Sequence, residues 1–161
     1  MLKRKTRLAA LLLLTGALTI GTYAGSASST AAAIPSQDVE TKATQTYKNE
    51  AYGGCLWALG DRPITGTCGV ANDELDWHVT RWGDGTVRLK NVGTGECLSN
   101  KERTMQMDSC DTSKVQSWYV DRWNDGTIRF RDQRYNECIE GSEPGTVVTG
   151  PCDTSEAQSW Y

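Results

Sequence analysis

Apolar and polar residues alternate along several short stretches of the chain, with the period of two that a half-buried β-strand requires. Residues 87–89 (VRL), 105–107 (MQM) and 128–130 (IRF) alternate strictly. Asp-Gly pairs at 84–85 and 125–126 precede two of these stretches and are strong signals for hairpin turns. Beyond residue 27, no stretch of ten residues keeps a helical period. The pattern therefore predicts an all-β chain of short strands joined by tight turns.

The pattern recurs with a period of about 42 residues. Residues 77–85 (WHVTRWGDG) return at 118–126 (WYVDRWNDG), and Trp160 follows Trp118 by 42 positions. Two series of cysteines keep the same spacing: Cys55, Cys97 and Cys138, and Cys68, Cys110 and Cys152. A fixed period of this length indicates three copies of one supersecondary unit.

Each copy holds about four short strands, so we expect a closed barrel with pseudo-threefold symmetry and a cap of hairpins. The aromatic residues that recur once per copy, Trp77, Trp118 and Trp160, are predicted to form its core. Trp82 and Trp123 are predicted to pack beside the hairpin turns. Because residues 160 and 161 form a shorter last strand than its counterparts at 77 and 118, we also expect a partly open edge near the N-terminal strand.

The N-terminus is organised as a secretory signal. Four basic residues at positions 3–7 precede a mostly apolar run at 8–20, and small residues follow at 25–27. We predict a signal peptide at 1–27, a flexible leader at 28–44 and a folded domain at 45–161, and therefore a secreted, extracellular protein. The apolar run is short for a bilayer span, although an uncleaved N-terminal anchor is the alternative.

Six cysteines in a short secreted chain predict three disulfides. Six cysteines allow 15 pairings, and the repeat selects the one that gives every copy the same bond. The predicted pairs are Cys55–Cys68, Cys97–Cys110 and Cys138–Cys152. Each would close a loop of roughly 14 residues, worth about 3 kcal/mol. A zinc site is a poor alternative, because no pair has the spacing of a zinc knuckle and the chain has one histidine.

Charge narrows the classes of partner. The predicted signal holds four of the 17 basic residues and none of the 20 acidic ones, so the rest of the chain is more acidic than the overall net charge of −3. An acidic surface repels phosphate backbones, so we expect no nucleic-acid partner. Nothing in the pattern predicts insertion into a membrane.

Two short motifs carry a family resemblance. Gln116-Ser117-Trp118 and Gln158-Ser159-Trp160 form a Q-x-W signature, and a Cys-aliphatic pair opens each of the same two copies at 97–98 and 138–139. With the period, these motifs resemble the ricin-B-type lectin family, a β-trefoil, over about residues 45–161. Copy one departs from the signature, because it has Leu75 where the others have Gln116 and Gln158.

The resemblance implies a non-catalytic module that usually binds sugars. In that family, an Asp after the Cys-aliphatic pair accepts hydrogen bonds from sugar hydroxyls. An aromatic residue two positions before the second Cys stacks on the sugar, and an Asn precedes the Gln of Q-x-W. Here the Asp positions hold Trp57, Ser99 and Glu140, the stacking positions hold Gly66, Asp108 and Gly150, and the Asn positions hold Glu74, Val115 and Ala157. The resemblance therefore implies the fold more strongly than it implies sugar binding.

Two binding functions follow. The first is a secreted adaptor or accessory subunit of a larger assembly, such as a toxin or a hydrolase complex, with another secreted protein as partner. The second is a lectin with a non-standard glycan site, around Trp57 and Tyr52 or around Tyr135, Asn136 and Glu140. We expect no enzyme and no cofactor, because the single histidine, His78, stands beside the core Trp77 as an ordinary strand residue, and one imidazole cannot form a metal-histidine cluster. A glycosidase built on carboxylates of the 137–143 loop is the less favoured alternative.

Overall fold

A computed structural model describes residues 44–143 and 145–161. The predicted signal peptide, and the leader up to residue 43, lie outside the described residues. Thr44, the last residue of the predicted leader, already belongs to the first strand. The strands are β1 Thr44–Gln45, β2 Cys55–Leu59, β3 Arg62–Gly66, β4 Trp77–Arg81, β5 Val87–Asn91, β6 Cys97–Lys101, β7 Thr104–Asp108, β8 Trp118–Arg122, β9 Ile128–Asp132, β10 Glu137–Ser142 and β11 Thr146–Pro151. Three single turns of 3-10 helix lie at Asp73–Leu75, Lys114–Gln116 and Glu156–Gln158.

The strands confirm an all-β chain with three related repeats, at about 44–86, 87–127 and 128–161. The predicted alternation is visible in β5, where Val87 and Leu89 are buried and Arg88 between them is partly exposed. The prediction of four strands per copy gives twelve. The described chain has eleven named strands, and the twelfth position is held by Trp160, which forms isolated bridges to Asn49 and Ile128.

A ring of paired segments forms the barrel. β1 pairs with β4, β4 with β5, β5 with β8 and β8 with β9, all antiparallel. Trp160 then pairs with Ile128 on one side and with Asn49 on the other. Lys48 donates to the carbonyl of Tyr161 at 2.7 Å and accepts from its N–H at 3.0 Å. The prediction of an open edge was wrong, because residues 160 and 161 are enough to bridge both neighbours and close the ring.

The hairpins β2–β3, β6–β7 and β10–β11 form the cap. β11 pairs with β3 through Thr146 and Ile64, and β7 packs against both of them. The cap therefore brings one hairpin from each repeat to the pseudo-threefold axis.

The three repeated tryptophans are fully buried. Each indole N–H donates to the carbonyl of the aliphatic residue that follows the first cysteine of the same repeat: Trp77 to Leu56 at 3.0 Å, Trp118 to Leu98 at 3.2 Å and Trp160 to Ile139 at 3.3 Å. A large apolar ring is thus buried without leaving its polar atom unpaired. The three disulfides connect Cys55 to Cys68, Cys97 to Cys110 and Cys138 to Cys152, which confirms one disulfide per repeat.

Candidate functional site

The glutamine of each Q-x-W motif shapes the loop around the second cysteine of its repeat. Gln116 accepts from the N–H of Asp111 at 2.9 Å and donates to the carbonyl of Ser109 at 2.9 Å, so it holds both neighbours of Cys110. Gln158 does the same with Asp153 and Pro151, at 3.0 and 2.9 Å. Both glutamines are buried. In the first repeat the apolar Leu75 is buried at the corresponding position.

In the first repeat, Trp57 lies against the position where a sugar-stacking residue would stand. Its indole packs across Gly66, where a Cβ atom would lie 2.9 Å from the indole nitrogen. The indole N–H donates to the carbonyl of Thr67 at 3.1 Å. Trp57 is partly buried rather than exposed. The indole therefore covers its own hairpin, and its N–H is bonded to a backbone carbonyl rather than to a carboxylate.

The second repeat has no exposed acceptor at the Asp position and no aromatic face at the stacking position. Ser99 is fully buried, and its hydroxyl has no hydrogen-bond partner among the described residues. Asp108, at the stacking position, accepts from the side chain of Gln106 at 2.6 Å. A buried hydroxyl and an internally bonded carboxylate are a poor basis for recognising a sugar.

The third repeat keeps one element of the family's sugar-binding site, an acidic residue after the Cys-aliphatic pair. The Glu140 carboxylate accepts from the Gln158 amide at 3.4 Å, so the signature glutamine holds it in place. A Cβ atom at Gly150 would lie 3.4 Å from the same carboxylate, which therefore faces a glycine where an aromatic ring would stack. Glu140 is partly exposed. This position offers an anchored acceptor without a stacking surface.

The other predicted binding residues are placed elsewhere. Asn136 accepts from the Arg131 side chain at 2.6 Å, and the Tyr135 ring lies 5.2 Å from the guanidinium of Arg103. Neither makes a hydrogen bond to Glu140 among the described contacts. Tyr52 is 46% exposed, and no aromatic contact joins it to Trp57 among the described residues. Among the described residues, neither sequence-predicted cluster is therefore joined by a hydrogen bond to Glu140 or by an aromatic contact between Tyr52 and Trp57.

A row of aromatic and charged side chains on the outer face of β8–β9 was missed by the sequence analysis. We call it the outer ladder, and it consists of Tyr119, Asp121, Trp123, Arg129 and Arg131. Arg131 lies 4.7 Å from the Tyr119 ring, and Arg129 lies 5.0 Å from the Trp123 ring. Asp121 accepts from Arg131 at 3.1 Å and from Arg129 at 3.2 Å, so one carboxylate joins the two stacked pairs. The signal for it was the alternation that turns residues 119, 121 and 123 to the same face.

The electrostatics of the ladder follow from these contacts. Burial opposes the ionisation of Asp121, but hydrogen bonds from Arg131 and Arg129 outweigh it and lower its pKa. The hydrogen bond that Arg131 donates to Asp121 in turn raises the pKa of Arg131. At the tip of the hairpin, the N–H and hydroxyl of Thr127 donate to Asp125 and lower the pKa of that carboxyl. The ladder therefore keeps its charges at physiological pH.

Within residues 44–143 and 145–161, no group of three or more histidine, cysteine or acidic side chains could hold a metal ion. The described part of the chain also contains no helical segment with the length and hydropathy of a membrane span.

The sequence matches the profiles of two domain families. Residues 26–120, more than half of the chain, match the cytolethal distending toxin A/C domain. The chain belongs to this family. Residues 85–161 match the ricin-type beta-trefoil lectin domain, which confirms the family resemblance that the Q-x-W motifs carry. No curated protein matches the sequence at a significant level.

Solved structures with the same fold include a designed protein and two bacterial proteins. The designed threefold-symmetric protein ThreeFoil has a TM-score of 0.64 and 16% identity, over 73% of this chain and 95% of that one. The Haemophilus ducreyi cytolethal distending toxin has a TM-score of 0.65 and 16% identity, over 73% and 81%. A GlcNAcα1-4Gal-releasing endo-β-galactosidase from Clostridium perfringens has a TM-score of 0.66 and 22% identity, over 73% and 31%.

These likenesses establish the β-trefoil fold of the described residues. The chain spans less than a third of the galactosidase and 17% of a mosquitocidal holotoxin that it also matches. Family membership and fold together identify a toxin-associated, lectin-type binding module.

Proposed function

We propose that this chain is a secreted, non-catalytic accessory subunit of a toxin-type assembly and that its partner is another protein chain. The observation that carries the proposal is the state of the three sugar positions. Trp57 covers the first, Ser99 is buried in the second, and Glu140 faces a glycine in the third. None combines a carboxylate with an aromatic face, so the module has its family's fold without its family's sugar chemistry.

The outer ladder supplies a surface suited to a protein partner. Trp123 and Tyr119 are partly exposed, and each is stacked against an arginine. Tryptophan, tyrosine and arginine are the residues most often found at energetic hot spots of protein interfaces. Because the Asp121 ion pairs hold the arginines in place, little conformational entropy remains to be lost on docking.

Other features support the extracellular location and the non-catalytic role in this proposal. Three disulfides and a predicted signal peptide suit an oxidising compartment. The chain's single histidine, His78, lies on β4 in the wall of the barrel, which supports a binding role over a triad-type hydrolase.

The proposal is tested by capture from the producer's culture medium. Tagged protein beginning at residue 28 is used as bait, and co-purifying proteins are identified by mass spectrometry. We expect a stoichiometric secreted partner that is lost with a Tyr119→Ala/Trp123→Ala bait. The matched control is His78→Ala/Trp82→Ala, which changes the equivalent positions on β4 and directly after it and should retain the partner. Bait that is recovered alone would contradict the proposal.

A second function, glycan binding in the third repeat, is favoured by the contact between Glu140 and Gln158. If this site binds sugar, Glu140→Gln should abolish signals on a glycan array, because it removes the charged acceptor. Trp57→Ala in the first repeat is the control and should leave those signals unchanged. An array without signals for the wild-type protein would remove this alternative.

A further inference from the structure

A groove of about 710 Å³ lies in the hairpin cap, where β3, β7 and β11 come together. Its volume is within the range of small-molecule sites. It is separate from the sugar positions and from the outer ladder. Its apolar lining consists of Pro63, Ile64, Met105, Val147 and Val148, and two arginines, Arg62 and Arg103, also line it.

The apolar lining includes side chains that remain accessible. Met105 and Val147 are 7% and 6% exposed, whereas Val148 is 42% exposed, although it lies on the same strand as Val147. Ile64 on the neighbouring β3 is half-buried. An accessible apolar surface inside a concavity is the usual lining of a site for an apolar ligand.

Arg103 is held at the groove by a turn of unusual conformation. Glu102 and Arg103 have φ angles of 52° and 60°, in the left-handed region that favours glycine. The corresponding turns of the other two hairpins have glycine in this region, Gly60 at 58° and Gly145 at 85°. The second repeat thus has a charged side chain where glycine would be less strained.

Contacts across the repeat boundary stabilise this conformation. Arg103 forms an ion pair with Glu137 and lies 5.2 Å from the Tyr135 ring. Glu137 in turn accepts from Thr149 at 3.2 Å and from the buried Asn100 at 3.4 Å. The guanidinium is therefore positioned before any ligand arrives, and its only hydrogen bond among the described residues is the one to Glu137.

Arg62 is the second cation of the groove. Its side chain is 80% exposed, and the nearest carboxylate, Asp61, is 4.0 Å away and 89% exposed. Such a pair contributes little, so Arg62 is free to bind another anion. Arg62 and Arg103 thus place two guanidinium groups beside the apolar lining, and each has one carboxylate neighbour, Asp61 or Glu137, with which a bound anion competes.

We propose that this groove binds a single-chain amphiphilic anion, such as a medium-chain fatty acid, as a free monomer. The hydrocarbon chain lies against Ile64, Met105 and Val148. The carboxylate accepts charge-assisted hydrogen bonds from Arg62 and Arg103. The proposal concerns a site outside the surface proposed for the protein partner and does not depend on that partner.

The test is calorimetric titration with decanoate below its micellar concentration. We expect saturable binding with one site. Arg62→Gln and Arg103→Gly should each weaken it about tenfold, since a hydrogen bond between charged groups is lost. Val148→Asp should abolish it by placing a carboxylate in the apolar lining. Arg81→Gln, which removes an exposed arginine from β4, is the control of equal charge and should bind as the wild type does.

Two further measurements distinguish specific binding at this site from non-specific hydrophobic binding and from misfolding of a variant. Decanol, which has the same chain without the charge, should bind at least tenfold more weakly. Arg103→Gly should melt no lower than the wild type by circular dichroism, because glycine relaxes the turn as the ion pair is lost. Decanoate binding that none of the three groove variants changes would overturn the proposal. So would equal binding of decanol, or binding only to anionic vesicles or acidic peptides.

Discussion

Two hairpins of the barrel, β4–β5 and β8–β9, share most of one sequence and differ at the middle of their outer faces. Both begin with a fully buried tryptophan, Trp77 or Trp118. In both, an Asp-Gly turn joins the two strands, and the Asp side chain accepts hydrogen bonds from the N–H and the hydroxyl of the threonine after the glycine. Near both turns an arginine stacks 5.0 Å from a tryptophan and donates to the carbonyl after the second cysteine.

The outer face is where the two hairpins diverge. β8–β9 has Tyr119, Asp121 and Arg131, whereas β4–β5 has His78, Thr80 and Lys90 at the same positions. Asp121 forms two salt bridges, and no salt bridge is found in β4–β5 among the described residues. The shared residues thus belong to the fold, while the divergent ones determine the surface that each hairpin presents.

The largest losses of stability should come from the buried tryptophans and should be equal in the two hairpins. Trp77→Ala and Trp118→Ala should each lower the free energy of unfolding by about 3–5 kcal/mol, because each removes a buried ring and leaves a cavity. Urea denaturation with the disulfides intact measures both. A difference of more than about 2 kcal/mol between them would show that the repeats do not share the core equally.

Asp121 and its counterpart Thr80 should have smaller effects on the free energy of unfolding when each is replaced by the other's residue type, and these effects should have opposite signs. Asp121→Thr should cost about 1–2 kcal/mol, since Arg129 and Arg131 are largely buried and lose their counter-ion. Thr80→Asp should stabilise the protein by at most about 1 kcal/mol, because it offers Arg88 and Lys90 a carboxylate. Urea denaturation at low salt is the measurement. Loss of stability in both variants would contradict the comparison.

The contribution of Asp121 should depend on pH in a defined direction. Its pKa is lower in the folded protein, so its stabilisation is present above the unfolded pKa of about 3.9 and is lost as the pH falls through the folded value. The stability difference between the wild type and Asp121→Thr should therefore be constant from pH 7 to pH 5 and shrink below pH 4. A difference that stays constant down to pH 2 would show that the carboxylate charge is not responsible.

The smallest effects should come from the stacked arginines. Arg129→Met should cost about 1 kcal/mol and Arg88→Met about half as much, because only Arg129 also loses a salt bridge. Thermal denaturation of the two variants, with Lys114→Met as an exposed control, measures the difference. Equal losses would show that the stacking on tryptophan outweighs the ion pair.

Local features of the sequence were sufficient for the architecture. The phased cysteines occur in three copies and the Asp-Gly turns in two, all with the same period. The strands, the disulfides and the buried tryptophans could therefore be predicted from spacing alone. The open edge was predicted wrongly, because strand length in sequence does not show that Lys48 and Tyr161 can close the ring with one pair of hydrogen bonds.

The candidate sites depended on contacts between strands, which spacing does not reveal. The stack of Arg103 on Tyr135 joins residues of different repeats. The role of Trp57 depended on the missing side chain of Gly66, on the neighbouring strand. The outer ladder was visible as alternation, but only the pairing of Asp121 with Arg129 shows that its members touch.

The pairing of Lys48 with Tyr161 has a mechanical consequence. Asn49 pairs with Trp160 and Lys48 pairs with Tyr161, in antiparallel register. From this pair, the chain therefore runs in the same direction toward residue 44 as toward residue 161. A force applied between residues 44 and 161 would load these hydrogen bonds one after another, as in a zipper, rather than together in shear. Every disulfide lies within one repeat, so none would bear the load as the ring opened. Tension would separate the three repeats first and leave each of their covalent loops intact.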